Sequence, residues 1–238
     1  MPNLPARRVQ APPQPFDVTK RLSDELVQCT GVDGAGVAVF ASASTRDLVY
    51  ATDTDSEELD EIQFTLGEGP CLDAFRFQHS ELHDDMASGE ARNRWPIFSS
   101  QVLALGAASV YAYPLTIGGE PFGVLEMYGR SPVSLASTED ATCRLYAESI
   151  GHAVLAELDP AYALISGTDL KVFRRGNVHV ASGMLAARLG VPVEEALVRL
   201  RSAAFSQHRR ITAVALEIVR GERLDLDSSR HTGIRGDT

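Results

Sequence analysis

Lysine is almost missing from this chain: of its 22 basic residues only Lys20 and Lys171 are lysine. A high arginine count here reflects that bias and is weak evidence, alone, for phosphate binding. Cysteine is scarce too. Cys29, Cys71 and Cys143 are odd in number and widely spaced, which excludes a disulfide framework and a cysteine-based zinc site and fits a reduced, cytoplasmic setting. No apolar run approaches the roughly 18 residues that a membrane helix needs. The stretch Met1 to Phe16 carries four prolines beyond Pro2 and no apolar centre, so it does not read as a secretory signal. No strand-end aspartate with an acidic pair and a lysine is visible, so a phosphoacceptor on this chain is not expected.

What is present divides in two. Up to Pro160 there are ten Lys+Arg against 24 Asp+Glu, a balance of −14; from Ala161 there are twelve against eight, a balance of +4. The basic part is the candidate for nucleic acid, although an acidic and a basic domain can equally attract each other. The pattern predicts a disordered leader (1–16), a mixed domain (17–158), a linker (159–168), a helical domain (169–222) and a disordered tail (223–238). In the mixed domain a helix from Asp17 or Thr19 to Cys29 precedes a hairpin around Val37–Val39 and Leu48–Tyr50. An acidic helix starts near Asp53, and one or two helical turns follow over Cys71–Phe77. A short strand lies within Glu81–Met86 and a helix over Trp95–Leu105. Ala108–Leu115 and Phe122–Tyr128 form a second hairpin, and a long helix runs over Thr138–Leu158. Its stripe of Ala147, Ile150, Val154 and Leu158 either packs on its own sheet or joins two copies. The last third reads as three helices, striped by Val178/Ala181/Leu185/Leu189, by Val193/Ala196/Leu197/Leu200/Ala204 and by Ile211/Val214/Ala215/Ile218/Val219.

Two sets of residues resemble known families. Gly67-Glu68-Gly69-Pro70-Cys71 with Asp73-Ala74, then Arg94-Trp95-Pro96 and Tyr113-Pro114-Leu115, resembles the GAF domains of actinobacterial GAF–ANTAR proteins. The last third resembles an ANTAR domain at Ala181, Gly183-Met184-Leu185, Arg188-Leu189-Gly190-Val191, Glu195-Ala196, Leu200-Arg201, Ala204, Arg209-Arg210 and Val214-Ala215. The implied fold is an α+β GAF-like sensor domain, an antiparallel sheet with flanking helices, followed by an all-α three-helix ANTAR-like domain. The implied role is transcription antitermination, with nascent RNA bearing paired hairpins as partner and a homodimer as the reader. Four positions depart from the ANTAR pattern: Ser182 stands where lysine is usual, Leu197 and Ala203 where aromatics are common, and His208 where asparagine is common. Losing a lysine and aromatics removes a phosphate contact and base-stacking surface.

The candidate RNA-binding residues are Lys171, Arg174, Arg175, Arg188, Arg199, Arg201, Arg209 and Arg210; arginine suits phosphate oxygens and stacks on unpaired bases. Their plain alternative is a solvated helix face. A candidate small-molecule pocket would use Glu68, Cys71, Trp95, Tyr111, Tyr113 and Tyr128, against the alternative that the aromatics are core and the glycine loop only shapes the domain. Cys71 near a helix start would favour a thiolate, against the alternative of a small buried hydrophobe. His79 and His83 lack the context of a zinc site, so no metal is expected, and no cofactor beyond an unidentified ligand. Two rival functions remain: a ligand- or redox-sensing protein whose ANTAR-like part no longer binds RNA, and a thiol-dependent reductase of the GAF fold, which would need a resolving cysteine near Cys71. No enzyme is the expectation.

Overall fold

The computed structural model describes residues 16–42, 45–158 and 175–221. The predicted leader up to residue 15, the linker and the tail lie outside those residues, as do Lys171 and Arg174.

Five antiparallel strands form one sheet in the order β2-β1-β5-β4-β3. These are β1 (Gly34–Ser42), β2 (Thr45–Ala51), β3 (Glu81–His83), β4 (Ser109–Ile117) and β5 (Glu120–Gly129). The two long hairpins supply the outer and central pairs, and β1 meets β5 across the centre, with Val37 opposite Leu125. On one sheet face α1 (Asp17–Thr30) and α6 (Ser137–Leu158) pack together. Their core gathers Leu26, Val37, Tyr111, Tyr113, Leu125, Met127, Ile150 and Val154. The α6 stripe of Ala147, Ile150 and Val154 is buried there, with Leu158 packed against it. It therefore belongs to its own sheet and is not the dimer face that the spacing also allowed. Glu157 of α6 accepts hydrogen bonds from Val18 N (2.8 Å) and Thr19 Oγ1 (2.6 Å), satisfying first-turn donors of α1.

The opposite face carries α2 (Thr54–Leu66), α3 (Pro70–Phe77), α4 (Gly89–Arg94) and α5 (Pro96–Leu105). Asp53 caps α2 by accepting from Ser56 N at 2.7 Å, and the left-handed Gly67 closes it. Pro70 and Pro96 open α3 and α5, where a missing N–H costs nothing. Helix α4 escapes the sequence pattern because its six residues hold a single buried side chain, Ala91.

The last third folds as α7 (Gly176–Leu189), α8 (Val193–Ser206) and α9 (Ile211–Val219). The three share a core of Val178, Ala181, Leu185, Ala196, Leu200, Ala204, Ile211, Val214 and Ala215. One member of that core is foreign. Phe64, fully buried, reaches into it from α2 of the sheet domain.

Candidate functional site

The seam between α2 and the three helices is the most charged interior region of the described structure. Helix α2 brings Glu58, Asp60, Glu61 and Phe64 toward it within about two turns. Arg175, just before α7, is 4% exposed. Its guanidinium contacts Asp60 and lies 3.0 Å from Glu61 Oε2, and it covers the Phe64 ring at 3.9 Å. Its backbone N–H donates to Asp47 Oδ1 at 2.8 Å. Arg46 of β2 pairs with the other oxygen of Asp60 and donates to the Asp60 carbonyl at 2.8 Å. Asp60 is thus held between two guanidinium groups. Burial works against its charge, but Arg175 and Arg46 together keep its carboxyl below the ordinary value. Glu61 takes one hydrogen bond among the described residues, from Arg175, and burial pushes its carboxyl up.

On α8, Arg201 donates from Nε to the Phe64 carbonyl at 3.0 Å. Burial, with Arg46, Arg76 and Arg175 nearby, lowers its pKa to about 10. The close approach depends on Gly67: a Cβ there would stand 2.8 Å from Arg201 Nη1. At the rim Arg210 pairs with Glu58, and a cleft of about 250 Å³ runs between them, lined also by Thr65, Gln101 and Phe205.

The structure therefore turns two of the candidate RNA-binding arginines, Arg175 and Arg201, inward against the sheet domain and ties a third, the half-exposed Arg210, to Glu58 at the rim. Arg209 is held by Glu217 within the three helices, at 3.0 Å from Oε2. Arg199 pairs with Glu195 one turn away on the surface of α8, and Arg188 is exposed near the end of α7. The expectation that Arg209 and Arg210 point freely outward is corrected: each has a carboxylate partner, which a reading of one helix at a time cannot see. Two of the four departures are core positions. Ser182 is 2% exposed and donates to the Val178 carbonyl at 2.8 Å, and Leu197 lies among the buried residues of the three helices. His208 sits at φ 50, a left-handed position that histidine and asparagine both enter more readily than most residues.

The six candidate pocket residues do not converge. Tyr111 and Tyr113 point to the α1–α6 face, whereas Cys71, Trp95 and Tyr128 lie on the other, so one cavity cannot use them all. Glu68 Oε1 accepts from Ile97 N and Phe98 N at 3.1 and 2.9 Å. It caps α5 across 30 residues of sequence. Asp73 binds Arg94 and Trp95 Nε1 at 2.9 and 3.0 Å, and Glu81 takes Arg94 and His83. The motif residues shared with the resembled family thus tie α3, α4 and β3 together. Cys71 is buried, and despite Arg46 at 3.3 Å its thiol is pushed well up by burial. Of the two readings of Cys71 the buried small residue is the one the geometry fits: desolvation outweighs the helix start. Cys143 belongs to the opposite sheet face and Cys29 is exposed. No group of His, Cys, Asp and Glu suited to a metal occurs among the described residues.

The residue network missed by sequence reading is Gln63–Glu126. Glu126 on β5 accepts from Gln63 Nε2 at 2.6 Å, while Gln63 Oε1 receives Cys71 N at 2.9 Å. A glutamate in an otherwise apolar central strand was the signal available.

The GAF domain family profile matches residues 16–154. The chain belongs to the GAF domain family. GAF domains are typically sensor or signalling domains. Solved structures with a similar fold include GAF3 from Slr1393 of Synechocystis sp. PCC6803 (15% identity, TM-score 0.46, covering 60% of this chain and 94% of that one). A GAF domain/HD domain protein from Geobacter sulfurreducens has 16% identity and a TM-score of 0.47, covering 63% and 99%. A type II free methionine-R-sulfoxide reductase from Thermoplasma acidophilum has 14% identity and a TM-score of 0.40, covering 58% and 95%. No curated protein matches the chain. No helix among the described residues is long and apolar enough to cross a membrane.

Proposed function

We propose that this GAF protein is a cytoplasmic, signal-responsive regulator that binds paired RNA hairpins through α7–α9 and promotes transcription antitermination, working as a homodimer because two hairpins call for two readers. The observation that carries this reading is the pairing of a basic three-helix unit with a GAF domain through that unit's own arginines. A sensor can act on an output only where the two touch, and here the contact involves the side chains suited to phosphate. The ANTAR resemblance over the same helices supports RNA as the partner. The burial of Ser182 and Leu197 supports it further, since those two departures alter packing and leave the outer surface alone. The test is crosslinking of the chain to RNA in cells and sequencing of what is bound. Recovery of tandem hairpins upstream of regulated genes is expected; recovery no better than an unrelated acidic protein overturns the reading.

A second reading, a sensing GAF protein whose three helices no longer bind RNA, is favoured by the deep burial of Arg175. The thiol-dependent reductase has less support: Cys71 is held as a buried thiol, and Cys143 lies across the sheet. Thiol exchange needs an accessible thiolate and a near partner.

A further inference from the structure

We propose that α2 of the GAF domain is a built-in competitor of RNA, and that the docked arrangement is a closed state in which the three-helix unit cannot take hold of a phosphate backbone. The inference rests on the RNA-binding reading above. Carboxylate and phosphate oxygens use the same guanidinium donors, so an arginine engaged by one is withheld from the other. Glu58, Asp60 and Glu61 of α2 engage Arg210 and Arg175, and the α2 backbone engages Arg201 through the Phe64 carbonyl. Arg175 is almost wholly buried, so no ligand reaches it without separation of the two units.

Three features mark the seam as built to close. Phe64 contributes its whole ring to the core of the other unit, flanked by the guanidinium groups of Arg46, Arg175 and Arg201. Gly67, which ends α2, leaves the space that Arg201 fills. The acid residues Glu58, Asp60 and Glu61 lie one to two turns before that aromatic on the same helix and reach the arginines with it, so charge and shape are complementary together.

Two features mark it as able to open. Glu61 Oε1, Arg175 Nη1 and Arg46 Nε are buried without a hydrogen-bond partner. Buried ion pairs with unsatisfied atoms return little net stability once desolvation is counted. At the rim the Arg210–Glu58 pair is half exposed, and such pairs are screened by salt and replaceable by other anions. A movement of α2 would break the side-chain contacts of Arg175, Arg201 and Arg210 with Asp60, Glu61, Phe64 and Glu58 in one step, leaving the Arg175 amide on Asp47 of β2. That helix also packs on β1, β2, α3 and α5 of the GAF domain, so any signal that shifts it is transmitted directly.

Phe64→Ala in the full chain removes the wedge without adding charge or substituting a basic residue. Binding is read by fluorescence anisotropy with a tandem-hairpin RNA library of randomised loops, and opening by small-angle X-ray scattering. A tenfold or greater gain in affinity together with a larger radius of gyration is expected. Equal affinity of parent and variant, with the variant expanded, shows that the seam does not gate RNA and overturns the proposal. No binding by the expanded variant defeats the RNA reading itself, and the competition with it. A readout on the unaltered chain stands beside these should the variant fail to fold. Saturating RNA is expected to speed hydrogen exchange at the Arg175 amide, now bonded to Asp47; unchanged exchange with RNA bound overturns the proposal.

Discussion

Replacing Glu126 with glutamine should stabilise the protein at neutral pH and do little in acid. Glu126 is buried in the middle of the sheet, and burial, aided by the nearby Asp60 charge, pushes its carboxyl up to about 8 against a usual 4.5; Arg46 and the Gln63 hydrogen bond oppose this without prevailing. The folded protein therefore holds a proton that the unfolded chain releases above about 4.5. Folding binds the proton more tightly, so this contribution is complete below pH 4.5 and is lost as pH rises toward 8. Each pH unit in that window is worth about 1.4 kcal/mol. At pH 7 the accumulated loss is on the order of 3 kcal/mol. Glutamine keeps an acceptor for Gln63 Nε2 and has no proton to lose. Urea unfolding of parent and Glu126→Gln at pH 5 and pH 7.5 measures the effect. The variant should gain on the parent by roughly 2–3 kcal/mol between the two conditions. A difference that does not change with pH would mean that Glu126 is ionised in the folded state and paired with Arg46, and the reasoning would be wrong.

Arg175→Ala should cost about 3–5 kcal/mol, because it leaves Glu61 without its ion pair and Asp60 with one of two; thermal unfolding checks this, and a loss below 1 kcal/mol would refute the described seam. Glu68→Ala should lower stability by about 0.5–2 kcal/mol through the lost cap of α5, read by chemical denaturation, with no change in the GAF sheet by circular dichroism. In the opened Phe64→Ala chain, Arg209→Ala with Arg210→Ala should weaken RNA binding by about 1–3 kcal/mol and reduce the salt slope by one or two charges; anisotropy on the tandem-hairpin library measures both, and unaltered binding would place the RNA surface elsewhere. Light scattering should report twice the 25.7 kDa chain mass; a monomer at micromolar concentration would remove the dimer.

Local chemistry made most of the fold legible. The capping acid Asp53, the glycine stop at Gly67 and the prolines at 70 and 96 mark helix ends through rules that act within a few residues. The β4–β5 hairpin follows from β-rich runs around Gly118-Gly119. The site was less legible because its partners are distant in sequence. Glu68 looks like a ligand contact until α5 is placed beside it. Arg175 and Arg210 look like surface cations until α2 supplies their carboxylates, more than 110 positions away. The separation of Tyr111 and Tyr113 from Tyr128 follows from strand parity once Tyr111 is set opposite Met127, but that register depends on an irregularity between Leu115 and Thr116, which no composition rule locates.

Phe64 bears on how such proteins are cut and recombined. By position it belongs to the sensor, yet its packing energy belongs to the neighbouring bundle, since burying a phenylalanine contributes roughly 1.5–3 kcal/mol to whichever core receives it. A cut after α6 would hand the sensor a bare aromatic ring and deprive the bundle of its central filler. The two halves are therefore not interchangeable cassettes: a sensor grafted in place of this one would need a ring of similar size at the same point of its own second helix, and acids in the turn or two before it, before the bundle could rest against it.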